Sequence, residues 1–125
     1  MTLEEKKQQY QKILVEEYRS SHPEETEGLT DEEITLMNPI TDADFTFLIG
    51  NELNNINKEI VELMKDIRDT EERINTPGVH YQEITECRSD ILYDNRRIAE
   101  LKRQLRLNDN VLRTMFLEVS KKQTV

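Results

Sequence analysis

Two runs of apolar residues, each stepping alternately by three and by four, constrain this chain more than any other feature. The first is Ile49, Leu53, Ile56, Ile60, Leu63, Ile67, Thr70 and Ile74. The second is Ile84, Cys87, Ile91, Asp94, Ile98, Leu101, Leu105, Asn108, Leu112, Met115 and Val119. Such spacing falls on one side of an α-helix, whereas a strand sends alternate side chains to opposite faces. Written as heptads, position a holds 53, 60, 67 and 74 in the first run and 84, 91, 98, 105, 112 and 119 in the second, with d between them. Each run lasts several heptads and so specifies a long helix. Residues 41–75 as a helix would extend roughly 50 Å.

Only "NTPGVH" separates the two runs, and a connection so short makes its helices antiparallel neighbours. Thr76 precedes proline and is pushed towards an extended conformation. Pro77–Gly78 then suits either the centre of a type II turn or a helix start with Thr76 as N-cap and Pro77 at the first helical position. Facing positions in such a hairpin sum to about 155. That register brings Arg103 near Glu52, and Arg97 within a turn of Glu59 and Glu62.

The remaining punctuation divides the chain into one helical domain over 1–125. Residues 1–20 form an amphipathic helix with Leu3, Tyr10, Ile13, Leu14 and Tyr18 on one broad face. Residues 21–40 are an acidic linker, beginning with the solvated "SSHPEETEG". The linker has room for a short helix between Thr30, at capping-box spacing from Glu33, and Pro39. Thr41 caps the first hairpin helix, 41–75; residues 76–80 turn, and 81–122 form the second. In "VLRTMFLEV", residues 111–119, Val111, Phe116 and Leu117 lie outside the seam, so this segment needs cover on several sides. The expected cover is Phe45, Phe47 and Leu48 with Ile34, Leu36, Met37 and Ile40. The fold class that follows is all-α: an N-terminal amphipathic helix and a long, coiled-coil-like antiparallel helical hairpin with a compact apolar head at its open end.

Composition agrees with exposed helices and a narrow seam, with 35% apolar and 34% charged residues. The net charge of −9 is uneven. Residues 1–50 carry twelve acids against four bases, and residues 80–125 carry seven against nine. This acidity disfavours nonspecific binding to nucleic acid or anionic membrane. No apolar run is long enough to span a bilayer, and "MTLEEKKQQYQK" lacks the apolar core of a secretory signal. With a single cysteine besides, the expectation is an intracellular, cytoplasmic protein, or one of a virion interior if viral.

Catalytic constellations fail on spacing. His80 and Cys87 lie two helical turns apart, about 10 Å of rise, too far for a thiolate–imidazole pair. No zinc-type spacing of Cys and His occurs. The acids Glu24, Glu25, Glu27, Asp31, Glu32 and Glu33 lack the EF-hand order of ligands, and no glycine-rich phosphate loop is present. The expectation is therefore no catalytic residue, no cofactor, no metal and no enzyme.

What remains is surface. Val61, Met64, Leu92 and Tyr93 lie off the seam with no obvious cover within the chain. Arg96, Arg103, Arg106 and Arg113 fall on outward b and f positions of the last helix, where no acid of the hairpin is expected to answer them. Such a stripe could dock the acidic segment 24–33 or another subunit; nucleic acid is the alternative. Asp94 and Asn108 at d positions cost stability and can fix register and partner. A protein partner or self-association is expected, in the role of an assembly, adaptor or regulatory subunit. Two helices with a free tip also resemble prefoldin-type chaperone subunits in architecture, which would imply holdase activity. Those subunits carry β-hairpins between their helices, which "NTPGVH" is too short to supply.

Overall fold

A computed structural model describes residues 2–123. It has four helices and, among the described residues, no strand: α1 (Leu3–Ser21), α2 (Asp31–Met37), α3 (Asp42–Ile74) and α4 (Tyr81–Gln123). Helices α3 and α4 pack against each other as a helical hairpin. The chain divides into two compact units, Met1–Asn51 with Asp109–Val125, and Glu52–Asn108.

In the first unit each helix start is written into the sequence. Thr2, Thr30 and Thr41 each accept, on Oγ1, the backbone N–H three residues ahead, at 3.1, 3.2 and 3.1 Å. Asp44 returns the bond by accepting the Thr41 N–H at 3.1 Å, a reciprocal cap that satisfies two otherwise orphaned donors. Helix α1 buries Leu3, Lys6, Tyr10 and Val15. The Tyr10 ring meets Phe45 of α3 at 5.4 Å between centroids, tilted by 57°, a geometry that aromatic quadrupoles favour. Phe45, Ile34 and Ile49 are fully enclosed, and Val111 and Met115 of α4 are buried.

The chain between α2 and α3 is held by a side chain from α1. Gln11 donates its amide to the Asn38 carbonyl at 3.2 Å and accepts the Ile40 N–H at 2.6 Å, clasping the backbone on both sides of Pro39. Residues 22–30 are turns, solvated as expected at Pro23, Glu24, Glu25, Glu27 and Gly28, with one side chain turned inward. Thr26 is buried and donates Oγ1–H to the His22 carbonyl at 2.7 Å. Gly28 takes the positive φ of 78° that the turn requires.

The expected head is only partly realised. Phe47, Leu36, Met37, Phe116 and Leu117 are exposed. Helix α2 has two turns and aims a single residue, Ile34, at the core. Phe47 follows Phe45 by two positions, about 200° around the helix, so the two rings cannot share a face.

In the second unit the seam is as the spacing predicts. Ile56, Ile60, Ile98 and Leu101 form a buried cluster, with Leu63, Ile67 and Leu105 packed on it. Across the whole of both runs, from Ile49 to Ile74 and from Ile84 to Val119, no a or d position is exposed. Two ion pairs fix the register: Arg97 Nε–Glu59 Oε1 at 3.1 Å and Arg73 Nη2–Glu83 Oε1 at 3.0 Å. Each joins positions whose numbers sum to 156, one residue from the sequence expectation. At the tip Gly78 has φ of +86°, which selects the type II turn over a Thr76 cap. His80 caps α4 instead: its carbonyl accepts from Ile84 N–H, and its Nδ1 accepts the Gln82 N–H at 3.1 Å.

Candidate interaction surface

Both ion pairs across the hairpin of the second unit join g positions, since Glu59 and Arg73 precede a positions of α3 and Glu83 and Arg97 precede those of α4. In an antiparallel pair this puts the c and g positions of both helices on one flank, and the b and e positions on the other. The two flanks differ in kind. The c/g flank holds Glu52, Glu59, Glu62, Asp66 and Asp69 on α3, and Glu83, Glu86, Asp90 and Glu100 on α4, against only Arg73 and Arg97. The b/e flank has an uncharged centre.

Three of the four apolar residues singled out from the sequence belong to that centre. Val61 (b), Met64 (e) and Leu92 (b) are 63%, 51% and 53% exposed. In the observed register Met64 and Leu92 stand at the same level. Asn57, Asn95 and Ala99, also exposed, surround them. Tyr93, 71% exposed, occupies a c position on the acidic flank, apart from the other three.

The four arginines do not act as one stripe. Arg103 turns back to its own helix and grips Glu100 with two bonds of 3.0 and 2.6 Å. Those bonds from Arg103, followed by one from Gln104, hold the Glu100 carboxyl down at about 2. Arg113, in the first unit, pairs with Asp109 at 3.0 Å. The expectation that no acid answers these two fails because three- and four-residue spacing along one helix already brings the carboxylates within reach. Arg96 faces outward, and Arg106 lies on the b/e flank; both are exposed. The acidic linker has its own cation: Arg19 of α1 takes Asp31 at 2.7 and 3.2 Å and the Leu29 carbonyl at 2.8 Å.

Within the seam, Asp94 is half-buried at its d position. Burial, with Asp66 and Asp90 nearby, pushes its carboxyl above the ordinary 3.8. Asn108 is buried. Cys87 is buried in the seam, while His80 is exposed and occupied as a cap, so the two are not a pair. Among the described residues no group of three or more His, Cys, Asp or Glu is placed to hold a metal ion. None of their buried side-chain polar atoms lacks a partner. An open groove of about 620 Å³ runs between α1 and α2, lined by Gln8, Lys12, Glu16, Asp31 and Thr35 among others. It gathers no nucleophile with a base. No helix among the described residues is long and apolar enough to cross a membrane.

Sequence reasoning missed Lys6, which is buried with its Nζ 5.0 Å from the Tyr10 ring centroid. The signal available was the four-residue spacing of Lys6 from Tyr10. Comparison with protein-family models, with curated proteins and with solved structures gave no match.

Proposed function

We propose that this protein is a non-enzymatic helical interaction protein, an assembly, adaptor or regulatory subunit that works through contacts of its hairpin. The observation that carries this reading is the exposure of Val61, Met64 and Leu92 together on a helix pair whose seam is already closed. Large apolar side chains standing clear of a two-helix seam are stabilised by a further helix. Tyr93, Arg96, Arg103, Arg106 and Arg113 are the remaining contact candidates. Arg103 and Arg113 would first have to release Glu100 and Asp109.

A photo-crosslinking amino acid at Leu92, compared with one at the outward Ser89, tests the reading in cells that make the protein. A discrete protein adduct at 92 and not at 89, either a second copy or another chain, is expected. No position-specific adduct, together with tight binding of single-stranded nucleic acid by the monomer, would replace this reading with the nucleic-acid regulator. Suppression of aggregation of a heat-unfolded client, lost on Leu92→Glu, would instead favour the prefoldin-like holdase.

A further inference from the structure

The two flanks of the second unit carry opposite charge, and the apolar centre lies on the positive one. On the b/e flank Arg68, Arg88, Lys102 and Arg106 stand against Glu71 alone, a net charge of +3 on a protein of net −9. None of these four cations makes a hydrogen bond or ion pair among the described residues. On the c/g flank nine carboxylates face two arginines, and both arginines are already paired.

Charge on this flank selects its occupant. Two copies joined b/e to b/e about a two-fold axis would set cations against cations, whichever way the axis ran. The acidic c/g flank of another copy would answer the charge. However, its α3 positions between Glu52 and Arg73 hold no apolar residue, and its α4 offers only Tyr93 near the middle and Leu107 at one end, too little to cover Val61, Met64 and Leu92 together. A helix with an apolar stripe bordered by carboxylates satisfies both demands at once.

We propose that the b/e flank, centred on Val61, Met64 and Leu92 and rimmed by Arg68, Arg88, Lys102 and Arg106, docks an acidic amphipathic helix of a different protein. It adds that helix as a third strand to the hairpin. This rests on the interaction reading above and names its face and the chemistry of its partner. The rim cations steer and orient the incoming helix, and the three apolar side chains anchor it.

The test uses the full chain and a synthetic peptide of about 20 residues, long enough to hold a helix. The peptide carries leucine at seam positions and glutamate beside them; a control peptide carries lysine instead. Fluorescence anisotropy is expected to show the glutamate peptide binding at least about tenfold more tightly than the control, with affinity falling as salt is raised. Leu92→Glu, and separately Lys102→Glu with Arg106→Glu, should each weaken binding about tenfold or more at unchanged helicity. Glu62→Lys with Asp69→Lys, on the other flank, should leave it intact. Equal binding of both peptides, binding of neither, or sensitivity to the c/g variant alone overturns the proposal. Self-association abolished by Leu92→Glu without peptide binding overturns the partner and leaves the interaction reading standing. A single-stranded oligonucleotide held by the same rim cations, with no peptide binding, overturns both.

Discussion

Phe45 and Ile60 sit on the same helix about four turns apart, yet they live in different kinds of interior. Around Phe45, segments of all four helices contribute to one unit, and Phe45, Ile34 and Ile49 have no exposed surface at all. Ile60 belongs to a unit built from two helices, and its cluster keeps 8% of Ile60 and of Ile98 open to solvent. A seam between two helices has one buried layer and two flanks, so it can be continuous without ever being enclosed. Enclosure concentrates stability in a few side chains; a seam spreads it thinly along its length and leaves surface for other contacts.

The sharpest way to break this contrast is truncation on each side. Phe45→Ala should cost about 3–5 kcal/mol, because the cavity it leaves is walled by Tyr10 and cannot collapse. Ile60→Ala should cost about 2–3 kcal/mol, since solvent and neighbouring stems can move into the gap. Denaturant midpoints at constant slope would measure both; equal losses would abolish the distinction.

A smaller effect is expected at the tip. Gly78→Ala meets no atom within 4 Å, so its cost is that of the positive φ alone, about 1 kcal/mol. A thermal shift no larger than that of an exposed helical substitution would show the turn to be looser than the structure has it.

Opposite in sign is Asp94→Leu, which should stabilise the second unit by up to about 1 kcal/mol, discounted for the partial exposure of the site. Its pH signature separates it from a general helix effect. The Asp94 carboxyl is raised in the folded state, so its penalty is absent below its ordinary 3.8 and complete only above the raised value. The gain from Asp94→Leu should therefore shrink in acid. Glu100 behaves oppositely. Its favourable contribution is present above the ordinary 4.5 and lost as pH falls towards about 2. The smallest effect expected is from Arg103→Gln, which should flatten that part of the acid limb. No change in the acid unfolding profile would mean the Arg103 grip is not held in solution.

What could be read from sequence was whatever repeats or is local. The two seams, their register to within one residue, and the caps at Thr30 and Thr41 all follow from spacing along one helix. What could not be read depends on a neighbour brought in from far along the chain. The clasp of Gln11 on residues 38–40 spans 27 and 29 positions and has no local signature. Burial of Lys6 depends on how α1 is seated, and the exposure of Phe116 and Leu117 on how little of α2 faces inward. At the candidate surface, the exposure of Val61, Met64 and Leu92 was legible. Their flank follows from the heptad letters and the antiparallel pairing; the level at which Met64 and Leu92 meet needed the observed pairing of Glu59 with Arg97. Arg103 and Arg113 were misread for the opposite reason: their partners are local and were overlooked in favour of distant ones.

The constant sum of 156 across the hairpin also dictates an order of assembly. The Arg73–Glu83 pair closes a loop of 10 residues, and Arg97–Glu59 one of 38. Forming the outer pair directly costs about 1 kcal/mol more in closure entropy than forming the inner one. A chain that first turns at Pro77–Gly78 meets each later layer as a small extension of an existing loop. Folding of this unit is thus expected to run as a zipper from the tip. Gly78→Ala should then appear mainly as slower refolding, and Ile60→Ala mainly as faster unfolding, in stopped-flow traces.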